Sequence, residues 1–126
     1  MACACIYVDT DNCSPTVHRV SFRCAKKQYR CGECGGTINP GDQYEYVFGI
    51  WGGSPDYHRT CLVCREIRDT LLCTWIYTEM WETLMNHWIE NPSSIPWSDI
   101  GGLSIPARER VCAQIEELWE DEEDDD

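Results

Sequence analysis

The sequence has no apolar stretch approaching the roughly 18 residues of a membrane-spanning helix, because Glu, Asn or Arg interrupts every candidate run. A membrane role is therefore excluded as an expectation. The opening MACACIYVDTDN has neither the basic start nor the continuous apolar segment of a secretory signal, which predicts a cytoplasmic chain in a reducing compartment. A glycine-rich phosphate-binding lysine loop, a zinc-protease HExxH and a serine-nucleophile GxSxG are all missing. No carboxylate pair, whether Asp9 with Asp11 or Glu45 with Asp56, is tied by sequence to a nucleophile, so the chain is expected not to be an enzyme. Positive charge is also scarce, with ten Lys plus Arg against 22 Asp plus Glu and a formal net charge of -12.

That charge is unevenly placed. Nine of the 22 carboxylates fall between Glu116 and Asp126, leaving 13 acidic and ten basic side chains in the preceding 115 residues. Acidity is chiefly a property of the carboxyl-terminal end. Five of the ten cations, Arg19, Arg23, Lys26, Lys27 and Arg30, gather near Phe22 and Tyr29 in the first quarter of the chain.

Cysteine is abundant, with ten in 126 residues, and its spacing points to a metal in place of a disulfide framework. Cys31 and Cys34 form CGEC, Cys61 and Cys64 form CLVC, and 26 residues separate the pairs. Four thiolates can surround zinc tetrahedrally, and glycines at 32, 35 and 36 permit the tight backbone of a metal knuckle. His58, three residues before Cys61, is an alternative ligand to Cys64. With four protein ligands the zinc has no position for substrate water, so it is expected to be structural. Cys3, Cys5, Cys13 and Cys24 are candidates for a second metal site, with a much less specific spacing. Cys73 and Cys112 fall on helical apolar stripes and read as reduced core side chains.

Periodicity divides the chain. Residues 1–30 read as an irregular, Cys-containing and basic segment, and residues 31–70 as the zinc-binding module. In that module Thr37 to Ile38 and Tyr44 to Ile50 are short strands around an NPGD turn, with a second reversal at Gly49, Gly52 and Gly53. Residues 71–120 read as a helical extension and 121–126 as an acidic tail. Ile67, Leu71, Ile76, Met80, Leu84 and Trp88 supply an apolar helical face, with a break expected near Cys73 to Tyr77 and an end at Pro92. Residues 91–104 read as a loop. A last helix follows from about Ile105 to Trp119, burying Val111, Cys112, Ile115, Leu118 and Trp119. The expected fold class is α+β: a zinc-held, treble-clef-like β-hairpin packed with two or three helices.

The run YRCGECGGTINPGDQYEYVFGIWGG followed by TCLVCREIRD resembles small zinc-binding proteins of bacteriophages and bacteria, over roughly residues 28 to 70. The resemblance implies zinc on Cys31, Cys34, Cys61 and Cys64. A phage origin would imply a host-interaction or anti-defence role, anti-CRISPR activity included, in the bacterial host cytoplasm.

Two kinds of partner follow from the residues. The expected function is a non-enzymatic, zinc-stabilised protein-interaction module, whose carboxylates Glu116, Glu117, Glu120, Asp121, Glu122, Glu123, Asp124, Asp125 and Asp126 could meet a basic, normally nucleic-acid-binding surface of a protein. Trp51 and Trp97, set in Gly- and Pro-containing loops, are candidate interface anchors. The alternative is nucleic-acid binding by Arg19, Arg23, Lys26, Lys27 and Arg30, with an aromatic side chain stacked on a base. The oligomeric state is left open.

Overall fold

The computed structural model describes Pro15, residues 17–72 and residues 74–123. Ten short elements follow one another: β1 Val17–Cys24, β2 Tyr29–Arg30, β3 Thr37–Ile38, β4 Gln43–Trp51, β5 Ser54–Cys61, α1 Leu62–Leu71, α2 Met80–Glu90, a single 3₁₀ turn Pro92–Ser94, α3 Trp97–Gly101 and α4 Ile105–Glu123. They make a small α+β domain with one three-stranded antiparallel sheet in the order β1-β4-β5 and a two-stranded ribbon of β2 and β3. No described helix is long and apolar enough to cross a membrane.

The central strand β4, QYEYVFGIW, is dense in aromatic and β-branched residues, which favour a pleated and half-buried surface. Its connection to β5 is only Gly52 and Gly53, both at positive φ (57° and 82°), so a two-residue turn twists the hairpin in the right-handed sense. Strand β1 corrects the expectation of an irregular 1–30 segment, since Val17 to Cys24 pairs with Ile50 to Gln43 along its whole length. Its sequence, VHRVSFRC, alternates Arg19, Ser21 and Arg23 with Val20, Phe22 and Cys24 in the period of a strand, but as an edge strand it leaves both faces largely in water, so no buried side singles it out.

The helical half breaks in the expected region. Helix α1 ends at Leu71 and α2 begins at Met80, and among the apolar positions between 67 and 88 Ile67, Leu71, Met80, Leu84 and Trp88 are buried whereas Ile76 is half-buried. Thr78 holds a positive φ of 75° in the connection, and Glu33 reaches across to accept hydrogen bonds from the N–H groups of Thr78 at 2.8 Å and Met80 at 3.2 Å. The carboxylate thereby satisfies two donors at the entry to α2.

The expected loop at 91–104 is more structured than that. Pro92 opens the 3₁₀ turn, α3 follows, and Ile95, Ile100 and Leu103 are buried. These three apolar side chains, spaced irregularly, anchor the segment to the core without any helical period for the sequence to display. In α4 the four-residue spacing of Ala107, Val111 and Ile115 forms the buried stripe, flanked by half-buried Cys112 and Leu118. Cys73 and the Trp119 side chain lie outside the described part.

One buried ion pair fastens the sheet to α1. Arg68 donates from both terminal nitrogens to the two carboxylate oxygens of Glu45, each at 2.8 Å, and both residues are 3% exposed. Glu45 is therefore no solvated carboxylate. Asp69 keeps one contact with Arg68, at 3.3 Å, when Glu45 is removed, so Glu45→Ala should lower the unfolding free energy by about 3 kcal/mol, the low end for breaking a buried pair. Denaturant titration of the metal-loaded protein measures this; a loss below about 1 kcal/mol would show that the pair is dispensable.

Candidate metal centre

Cys31 and Cys34 occupy the knuckle that joins β2 to β3, whereas Cys61 closes β5 as the residue preceding α1 and Cys64 lies in the first turn of that helix. The two pairs meet because Gly32 donates to the carbonyl of Arg59 at 2.8 Å, locking the knuckle against β5. All four sulfurs lie within 4.8 Å of one another, and those of Cys34 and Cys61 are 3.9 Å apart. Four sulfurs held about 2.3 Å from a zinc-sized ion stand about 3.8 Å from each other, so small inward movements complete a tetrahedron.

The surroundings suit negative sulfur. The N–H of Glu33 and that of Cys61 each donate to Cys31 Sγ at 3.4 Å, and Gly36 N–H donates to Cys34 Sγ at the same distance. A β-carbon on residue 36 would come within 3.2 Å of that sulfur, and Gly35 takes a φ of 70°, so this turn needs its glycines. From α4, Arg110 Nη1 approaches the sulfurs of Cys61 at 3.4 Å, Cys34 at 3.5 Å and Cys64 at 3.7 Å. Four thiolates around a divalent ion leave two negative charges, and this guanidinium offsets one of them.

Hydrogen bonding among the sulfurs governs their acidity. The contact with Cys34 leads in lowering Cys31 to about 6, and the contact with Cys31 leads in lowering Cys61 to about 6. For Cys34 the Cys31 contact acts upward, but those with Cys61 and Cys64 outweigh it and the thiol also falls to about 6. Contacts with Cys31, then Cys34 and Cys61, push the Cys64 thiol up, so one proton is concentrated on that sulfur. Three of the four thiols are thereby shifted toward the thiolate that a metal requires.

His58 is not in this group. It lies on β5 with its ring stacked on Tyr77 at 4.7 Å and 8° and against the edge of Trp51 at 5.3 Å, and burial pushes its imidazole down. Trp51 is half-buried in the same cluster, not a free-standing surface anchor. Trp97 is exposed. Of the second cysteine set, Cys24 is exposed and donates its thiol to Gly41 O at 3.4 Å, while Cys3, Cys5 and Cys13 lie outside the described residues. Among the described residues the structure gathers one metal-competent cluster. Glu116 and Glu117 are exposed on α4, Glu120, Asp121, Glu122 and Glu123 continue that helix, and Asp124 to Asp126 are not described. Arg19, Arg23, Lys26, Lys27 and Arg30 are all exposed.

Arg110 and Glu33 escaped sequence reasoning. Glu33 sits inside the CGEC motif, where only the ligands drew notice, and Arg110 is 46 residues beyond the last ligand. Comparison with known protein families, curated proteins and solved structures finds no match.

Cys64→Ser should abolish stable metal binding, and His58→Ala should leave it intact, as read by metal analysis after gel filtration. Arg110→Met should weaken metal affinity by about 10–100-fold. In the parent protein affinity should fall steeply as pH drops through about 6, because protons then compete for Cys31, Cys34 and Cys61. Loss of the guanidinium should move that fall to higher pH; an unshifted profile would remove Arg110 from any electrostatic role.

Proposed function

We propose that this chain is a non-enzymatic, zinc-stabilised interaction module of treble-clef type. The observation that carries the reading is the closed set of four converging sulfurs, joined to hydrogen-bond donors and one arginine and packed into the core beside Ile38, Ile67 and Leu71. Zinc is the ion best matched to four thiolates in tetrahedral array; iron is its chief competitor. With all four positions taken by protein, no site is left for a reacting water, which supports a structural and not a Lewis-acid role. The treble-clef assignment rests on the order of parts: a knuckle with the first ligand pair, then a hairpin, then a helix whose preceding residue, Cys61, and first turn, Cys64, carry the second pair.

An interaction role draws support from side chains that the core does not use. Val20 and Phe22 share one face of the edge strand and are 48% and 52% exposed, and Trp97 on α3 is 52% exposed. Such apolar groups in a small domain are the ordinary material of contact surfaces.

Protein prepared under reducing conditions should contain one zinc per chain, colourless, with X-ray absorption giving four sulfur neighbours at about 2.3 Å. Structural zinc contributes on the order of 10 kcal/mol to the folding of such modules, so verified chelation should abolish the cooperative thermal transition. An unchanged melting curve in the metal-free protein, or an oxygen or nitrogen ligand in the absorption spectrum, would contradict the proposal.

A further inference from the structure

Strand pairing sorts the three-stranded sheet onto two faces of different chemistry. Directly paired residues point the same way, so Arg19, Phe48 and Tyr57 form one row and Ser21, Tyr46 and Arg59 the next, with Arg23 beyond them on β1. The reverse face carries Glu45, Val47 and Thr60, all buried, and it is there that α1 brings Arg68 to Glu45. The only carboxylates in the three strands, Glu45 and Asp56, both belong to this reverse face. The front face is thus cationic and aromatic in a chain whose formal charge is -12.

Its side chains are already arranged. The Arg23 guanidinium lies 3.7 Å above the Tyr46 ring, and that of Arg59 lies 4.8 Å from the Tyr57 ring centre. Tyr46 and Tyr57 are nearly parallel, 6.0 Å apart at 16°. Arg19, Arg23 and Tyr57 are exposed, Tyr46, Phe48 and Arg59 half-buried, and between β1 and β4 Arg19, Val20, Ser21, Arg23, Tyr46 and Phe48 line an open groove of about 580 Å³. None of the three arginines is in an ion pair with a described carboxylate.

We propose that this front face binds single-stranded nucleic acid, with phosphates on Arg19, Arg23 and Arg59 and unpaired bases on Phe48 and Tyr57. Stacking on a ring occupies the flat side of a guanidinium and leaves its in-plane N–H donors available to phosphate oxygens. Phe48 and Tyr57 lie directly opposite each other on β4 and β5, about 5 Å apart at their β-carbons, so they offer neighbouring surfaces to an extended strand. A duplex hides its base faces and could use only the cations, against repulsion from the rest of this acidic chain. An acidic peptide would likewise leave the aromatic rings without a stacking partner. The inference rests on the interaction-module reading and names its partner.

The test uses the full-length, zinc-loaded chain and fluorescence anisotropy of labelled oligothymidylate and oligouridylate about a dozen nucleotides long. A duplex of equal length and a labelled polyglutamate peptide serve as competing partners, and zinc content and circular dichroism are measured on every sample. The single strands should bind, with a slope of log affinity against log salt near -2, as about three neutralised phosphates require. Tyr57→Ala, at an exposed position, should weaken binding about tenfold while retaining zinc and fold. Replacing Arg19 and Arg23 together by Ala should reduce the slope to about -0.7. Zinc-loaded protein that fails to bind the single strands, binds duplex or polyglutamate more tightly, or is indifferent to Tyr57→Ala would overturn this inference alone. Absence of zinc from folded protein would instead overturn the module on which it rests.

Discussion

Convergence of four sulfurs within 4.8 Å is the constraint on which the remaining structure depends, because it joins parts of the chain that have little else to hold them. The β2–β3 ribbon is two residues on each strand, far below what an isolated hairpin needs for stability in water. Cys31 and Cys64 nevertheless stand among the buried core residues with Ile38, Ile67 and Leu71. Coordination and apolar packing therefore act on the same few atoms. A chain of this size buries a limited core, and an ion held by the four sulfurs would replace apolar area that the sequence does not supply.

Around that centre, electrostatics is handled locally. Arg110 comes from the last helix to lie against three sulfurs, and Arg68 lies against Glu45 inside the sheet–helix layer. Three of the ten cations, Arg65, Arg68 and Arg110, are thus committed to interior carboxylate or thiolate, and the front face of the sheet receives three more, Arg19, Arg23 and Arg59. The excess acid lies elsewhere, toward the end of α4. Distances beyond about 8 Å are largely screened at physiological ionic strength, which allows a cationic face to persist on an acidic molecule.

Much of this was legible from residue spacing. The paired CxxC motifs announced the knuckle and the helix start, since metal ligands must recur at fixed short intervals. The Gly52–Gly53 reversal and the apolar periods of α1, α2 and α4 are local patterns, and local patterns survive in a sequence. Strand β1 was harder to read, because its partner β4 begins 19 residues after Cys24 and, although Arg19, Ser21 and Arg23 alternate with Val20, Phe22 and Cys24, neither face is buried, so the pattern marks no core side. The ligand choice between His58 and Cys64 was likewise undecidable from spacing. It became a matter of direction once β5 aimed His58 at Tyr77 and the first turn of α1 aimed Cys64 at the knuckle. Arg59 joined the cationic face only through its pairing with Tyr46, which no motif reveals.

Glu33 gives the knuckle a second duty. It stands between two cysteines of the cluster, yet its carboxylate holds the N–H groups of Thr78 and Met80, more than 40 residues later. The loop that carries two sulfurs of the cluster is therefore also the docking post for the start of α2. Formation of the knuckle and docking of α2 are coupled events, so hydrogen-exchange protection at the start of α2 would report occupancy of a site to which that helix contributes no ligand.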